Sequence, residues 1–159
     1  MKRLLLLALT CVACGPVALG ETPLPINLAV SAAFADTLKS LRLSVAKEGR
    51  ALDCAALQTQ CVKDVVASTR FVSVLSSGGK EAKSLTVDLK LSGTPATQGV
   101  SVAGVTPGKD YVLLIEALDA TARVTGISCT YLVDVSAGSK AVLANTVAPI
   151  PSALTCAAP

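Results

Sequence analysis

The chain contains no histidine and no tryptophan, and its aromatic content is 3%. The absence of histidine removes the Ser-His-Asp and Cys-His arrangements and the usual imidazole general base. Charge is scarce as well, at 16% of residues. No basic stripe with interleaved aromatics is present, so nucleic-acid binding has no footprint. The apolar run at residues 4–12 is shorter than the roughly 20 residues a membrane-spanning helix needs. No internal repeat or low-complexity segment stands out.

What the chain does have is aliphatic bulk. Hydrophobic residues are 52% of its 159 positions, mostly Val, Leu and Ala. This composition is far from that of a disordered chain and leaves room for one domain. Branched and small side chains pack well on a pleated surface, so β-structure is expected. The formal net charge is +3, from 14 basic and 11 acidic residues. Setting aside Lys2 and Arg3, which begin a leader, leaves 12 against 11, or +1.

The first residues, "MKRLLLLALTCVACG", have the short positive region and apolar core of an export signal. Cys11 and Cys14 form a Cys-x-x-Cys pair. A redox pair needs a strand-to-helix setting in a folded domain, and this one sits in a leader. Val12-Ala13-Cys14-Gly15 resembles the lipobox of bacterial lipoproteins, with Cys11 where that family prefers Leu. The resemblance implies cleavage before Cys14, a diacylglycerol on its thiol and a further acyl chain, palmitate-like, on its amine. It also implies sorting to the outer membrane, since Gly15 follows the lipidated position rather than Asp. The competing reading is an ordinary signal peptide. Ala18-Leu19-Gly20 offers small residues for cleavage before Glu21, giving a soluble periplasmic or secreted product. The expected organisation is a lipoprotein signal peptide at 1–13, a lipidated Cys14 with a Pro/Gly tether at 14–25, and a β-sandwich domain at 26–159.

Cys54, Cys61, Cys129 and Cys156 remain in either mature form. An even count in an exported chain points to disulfides. Zinc is not expected, because there is no histidine and no close cysteine pair remains. Of three possible pairings, Cys54–Cys61 with Cys129–Cys156 is favoured. The first closes the short polar loop "CAALQTQC" and the second ties the chain end to a strand. Loop closure would contribute about 2.5 and about 3.5 kcal/mol. Leu57, Cys61 and Val65 also have helical spacing. Seven residues of helix would separate Cys54 and Cys61 by about 10.5 Å. A disulfide needs Cα atoms within about 7 Å, so the bridge and a continuous helix exclude one another. The bridge and a turn are chosen.

"SLTVDLKLS" alternates cleanly, with Leu85, Val87, Leu89 and Leu91 opposite Ser84, Thr86, Asp88 and Lys90. Leu89 therefore faces inward, and Asp88 and Lys90 face water. "DYVLLIEAL" is apolar on both faces and suits a central strand. "LRLSV", "RFVSVL", "GVSVAGV", "ISCTYLVDV" and "AVLANTV" complete about seven strands, punctuated by "SSGGK", "SGTP", "TPGKD" and "SAGSK" turns. "SAAFADTLKSL" and residues 54–69 each allow a short helix. Residues 106–149 resemble the C-terminal half of immunoglobulin-like and transthyretin-like sandwiches on bacterial lipoproteins, a likeness of pattern that carries over no functional residue. The expected fold is an all-β antiparallel sandwich of about seven strands, immunoglobulin-like or transthyretin-like, with room for one short helix.

Little in the sequence points to catalysis. "SGGK" lacks the spacing of a phosphate loop. Glu116 and Asp119 read as a strand end reaching solvent rather than as paired catalytic carboxylates. Asp110, Asp119 and Asp134 lie near strand ends, but no Asp-x-Asp-x-Asp loop supports calcium. Lys39, Arg42, Lys47 and Arg50 read as a solvated face. Sugar-binding sandwiches offer exposed aromatic platforms, whereas Tyr111 and Tyr131 fall in strand patterns and take core or edge positions. No catalytic, cofactor or metal residue is assigned. The chain reads as a non-enzymatic envelope lipoprotein that works as a structural or protein-binding module, or alternatively as a soluble ligand-binding module or an enzyme's accessory domain. Its expected partners are the membrane, through the lipid, and other envelope proteins; nucleic acid is not among them.

Overall fold

The computed structural model describes residues 22–76, 79–91, 96–136 and 143–159. Ten strands lie among them: β1 (Thr22–Val30), β2 (Ser40–Lys47), β3 (Val74–Leu75), β4 (Glu81–Ala82), β5 (Leu85–Asp88), β6 (Ala96–Val105), β7 (Gly108–Leu118), β8 (Val124–Val135), β9 (Leu143–Thr146) and β10 (Ala148–Leu154). They form an all-β sandwich of two five-stranded sheets, ordered β4-β3-β6-β1-β9 and β10-β8-β7-β2-β5. Pairing is antiparallel except between β1 and β9. Two four-residue helices interrupt the strands, α1 (Ala32–Ala35) and α2 (Val62–Val65), in the two stretches that allowed one.

The count exceeds seven chiefly because β1 and β10 carry prolines. Pro23 and Pro25, read as tether, lie inside β1, where Leu24 is already buried. Among the described residues, β9 pairs with it from Ile26 to Ala29. Pro23 and Pro25 lie ahead of that stretch, where β6 is the paired neighbour among the described residues, and a strand accepts proline on an unpaired side. Pro149 and Pro151 lie in β10, an edge strand, which is the other place a sheet accepts proline.

The sheets enclose the main core. Alternate residues of β1 (Leu24, Ile26, Leu28, Val30) face those of β2 and β7, including Leu41, Leu43, Leu113 and Ile115. Leu89 packs against this core while Asp88 and Lys90 are exposed, as the alternation required. A second core lies on the outer face of the β7 sheet. There Val112, Leu114, Ile127 and Ile150 of the sheet are roofed by Leu57, Val62 and Val66. β7 is therefore buried on both faces over Tyr111 to Leu118, which explains its unbroken apolar run. Among the described residues, both cores and both disulfides are built from residues 24 to 156.

The roof is fastened by disulfides, and their pairing differs from the expected one. Cys54 bonds Cys129 of β8, with Cα atoms 6.0 Å apart, and Cys61 bonds Cys156 at 5.5 Å. The short loop is not bridged. Cys54 lies in a turn facing β8, and Cys61 precedes α2 and faces the chain end. The two bridges span 75 and 95 residues. In the chain-entropy account each would contribute about 4–5 kcal/mol, more than the local pairing could.

Candidate functional site

One end of the sandwich gathers a lysine-lined hollow and the exposed Tyr131 and Val133. It is the end where the chain enters β1, because Thr22 is in register with Val105, next to the β6–β7 turn. The C-terminal end of β2 is here too, with Lys47 opposite Tyr111. Tyr111 closes the main core, and its hydroxyl donates to the Thr106 carbonyl at 3.1 Å. Of the two tyrosines expected at core or edge positions, Tyr111 is buried in the core, whereas Tyr131 is exposed.

Beside Tyr111 is a hollow of about 480 Å³ whose walls include Lys47, Lys83, Phe71, Ser73 and Thr106. Its walls are tied together. Phe71 bridges to Ala46, and the Val72 amide donates to the Val45 carbonyl at 2.8 Å. Arg70 clamps the end of β2, donating to the Lys47 and Glu48 carbonyls and lying 3.3 Å from the Glu48 carboxylate. Lys83 Nζ donates to the Phe71 carbonyl at 3.0 Å. No carboxylate lies in the lining, and Lys47 Nζ has no hydrogen-bond or ion-pair partner among the described residues. Two ammonium groups beside hydroxyls suit an anion with several acceptor oxygens.

On the outer side of the same end, Arg50 lies against Tyr131. Its Nε donates to the Tyr131 hydroxyl at 2.7 Å, and the guanidinium is 5.6 Å from the ring centroid. The hydrogen bond to Tyr131 raises the Arg50 pKa further, so the group is a permanent cation. Asp110, at φ 59°, accepts the Arg50 amide at 3.0 Å and fixes the turn. Gly49 begins that turn because a Cβ there would strike the Tyr111 carbonyl and come within 2.9 Å of the Tyr131 ring. Tyr131 and Val133 remain 36% and 61% exposed. They are the two large apolar side chains left open to solvent among the described residues.

The basic residues expected on one solvated face are split by the fold. Lys39, Lys47 and Arg50 are exposed, but Arg42 is buried. Arg42 stands opposite Glu116 across β2 and β7, and its Nε is 2.6 Å from Glu116 Oε2. Glu116 is thus no solvent-reaching strand end; it lies under the roof, 2% exposed. Arg42 Nη1 also donates to the Cys156 carbonyl at 3.3 Å, fixing the chain end beside its disulfide. Asp119 is separate, in the β7–β8 turn. There the Thr121 hydroxyl and the Arg123 amide donate to it and hold its carboxyl down to about 2.

Asp110 and Asp134 belong to the end with the hollow, while Asp119 is at the other end, so the three are not brought together. Among the described residues no group of three or more metal-ligating side chains gathers. Cys14, with Cys11, lies outside the described residues. Cys54, Cys61, Cys129 and Cys156 serve as staples of the roof. Sequence reading missed Lys83 and Ser73 as site residues, since they reach the hollow from separate segments. Compared with known protein families, curated proteins and solved structures, the chain matches none.

Proposed function

We propose that the protein is a cell-envelope lipoprotein whose β-sandwich acts as a structural or protein-binding module, without catalytic activity of its own. The observation that carries this reading is Val12-Ala13-Cys14-Gly15 at the end of a short positively led apolar run. The two disulfides support it, because such bonds persist in oxidising compartments outside the cytoplasm. Two or three acyl chains would hold the domain durably, since each buried methylene contributes about 0.8 kcal/mol. β1 takes Thr22 to Pro25 out of the proposed tether. Other envelope proteins would be met at strand edges or end loops.

Intact mass of the protein from its native host tests the reading. A mass equal to the chain from Cys14 plus a diacylglycerol and an amide-linked acyl chain is expected. Cys14→Ala should move the protein out of the membrane fraction. An unmodified N-terminus at Glu21 would replace the lipoprotein with the second reading, a soluble module. That alternative has an observation in its favour: cleavage before Glu21 falls one residue ahead of β1.

A further inference from the structure

We propose that the hollow end of the sandwich is a membrane-facing surface, and that Lys47 and Lys83 there bind the phosphate of an anionic phospholipid headgroup. The proposal deepens the lipoprotein reading and rests on it for the tether. Three independent features meet at this end. The hollow carries two lysines and no lining carboxylate, and Lys47 has no partner among the described residues. Tyr131 and Val133 are exposed there, with Arg50 laid on the tyrosine. An exposed aromatic, an aliphatic and long cationic side chains together are the composition of a surface that seats at headgroup level.

The third feature is reach. From Cys14 to Thr22 the chain takes eight steps, which span at most about 29 Å when fully extended. β7 alone, with its 11 residues, is about 36 Å long. Thr22 is in register with Val105, one residue before the Thr106 wall of the hollow. A lipid on Cys14 is therefore attached at this end of the sandwich and not at the opposite one. The opposite end also has two exposed lysines, Lys39 and Lys90, joined through the Leu89 amide and the Lys39 carbonyl. Neither Tyr131 nor Val133 is near them, and Asp88 is beside them as Glu48 is beside Lys47 and Asp110 beside Arg50, so they serve as a control of equal charge.

The experiment uses the unlipidated chain from Glu21, so that binding reports the surface and not the anchor. The chain lacks tryptophan, so Val133→Trp introduces a single reporter at an exposed position. Vesicles of phosphatidylcholine with phosphatidylglycerol should shift its emission to the blue and co-sediment with the protein; phosphatidylcholine alone should do neither. A lysine near an anionic surface strengthens binding by a factor of about five, so Lys47→Gln with Lys83→Gln should weaken it about thirtyfold. Lys39→Gln with Lys90→Gln should leave it within about twofold, because those lysines stand away from the surface. Unchanged denaturation midpoints establish that both double variants are folded.

Absence of vesicle binding, or equal weakening by the two pairs, overturns the proposal. Protection of the amides at 71–73 by inorganic phosphate, without vesicle binding, also overturns it in favour of a soluble phosphate ligand. Failure of the lipoprotein reading is seen separately, in the native mass. Vesicle binding by a protein that proves unlipidated would leave the headgroup site standing without its tether.

Discussion

Arg42 and Glu116 show how far a single pair departs from the rule that charges face water. Each sits in a strand whose neighbours are apolar, and each lies under the roof. Removing one partner leaves the other charge buried and unpaired. Arg42→Met should therefore destabilise the domain by about 3–5 kcal/mol. The double change Arg42→Met with Glu116→Leu should recover most of that loss, since an apolar pair needs no compensation. Chemical denaturation with the disulfides intact measures both. A double variant as unstable as the single one would mean that the bond to the Cys156 carbonyl, not the ion pair, matters most. Asp119 gives the opposite case, a carboxylate stabilised at the surface. Its pKa falls from 3.8 to about 2 on folding, chiefly through the Thr121 hydroxyl and the Arg123 amide. The unfolded chain thus binds the proton first as pH drops. The stabilisation is complete above about pH 4 and lost as pH falls through about 2. Asp119→Asn should flatten the stability curve in that window; superimposable acid limbs would show that the turn contributes nothing.

At the scale of elements, the sequence was legible where one rule governed a segment. Alternation placed β5 and the inward Leu89, and a doubly apolar run placed β7 at the centre of its sheet. Proline hid β1 and β10, because the ban on proline in strands relaxes only where a neighbour is missing, and pairing partners are not visible in a single segment. Glu116 had a readable signal: a strand apolar on both faces has no wet side for a carboxylate, so "LLIEAL" demands a buried cation. The Arg42 of "LRLSV" supplies it. The lysine hollow had no such signal, as its parts come from four segments that only the fold unites. The disulfides failed differently. Short loops look easiest to close, yet the roof segment is an irregular strap whose cysteines face different anchors. Proteolysis of the unreduced protein should release peptides joining Cys54 to Cys129 and Cys61 to Cys156. A peptide holding Cys54 and Cys61 in one bridge would restore the local pairing and require the strap to be rebuilt.

The whole molecule is asymmetric about its sheets. The main core lies between them and depends on strand pairing, whereas the second core depends on a strap of single turns and the four residues of α2. Helical pieces that short do not hold themselves together in water. What keeps the strap down is its buried side chains and the two disulfides. The disulfides act mainly on the open state, by limiting how far the strap can stray. Reduction should thus make detachment of the strap the least costly opening. β1 and β6 contribute no residue to the second core and should be the last to notice. Amide hydrogen exchange with and without reductant separates the possibilities. Exchange at 52–66 should accelerate by orders of magnitude on reduction, with β1 and β6 staying protected, as expected of separate cooperative units. If every amide accelerates alike, the two cores form one unit. The doubly buried β7 would then be what couples them, because it cannot lose its roof without exposing the apolar face of Val112 and Leu114.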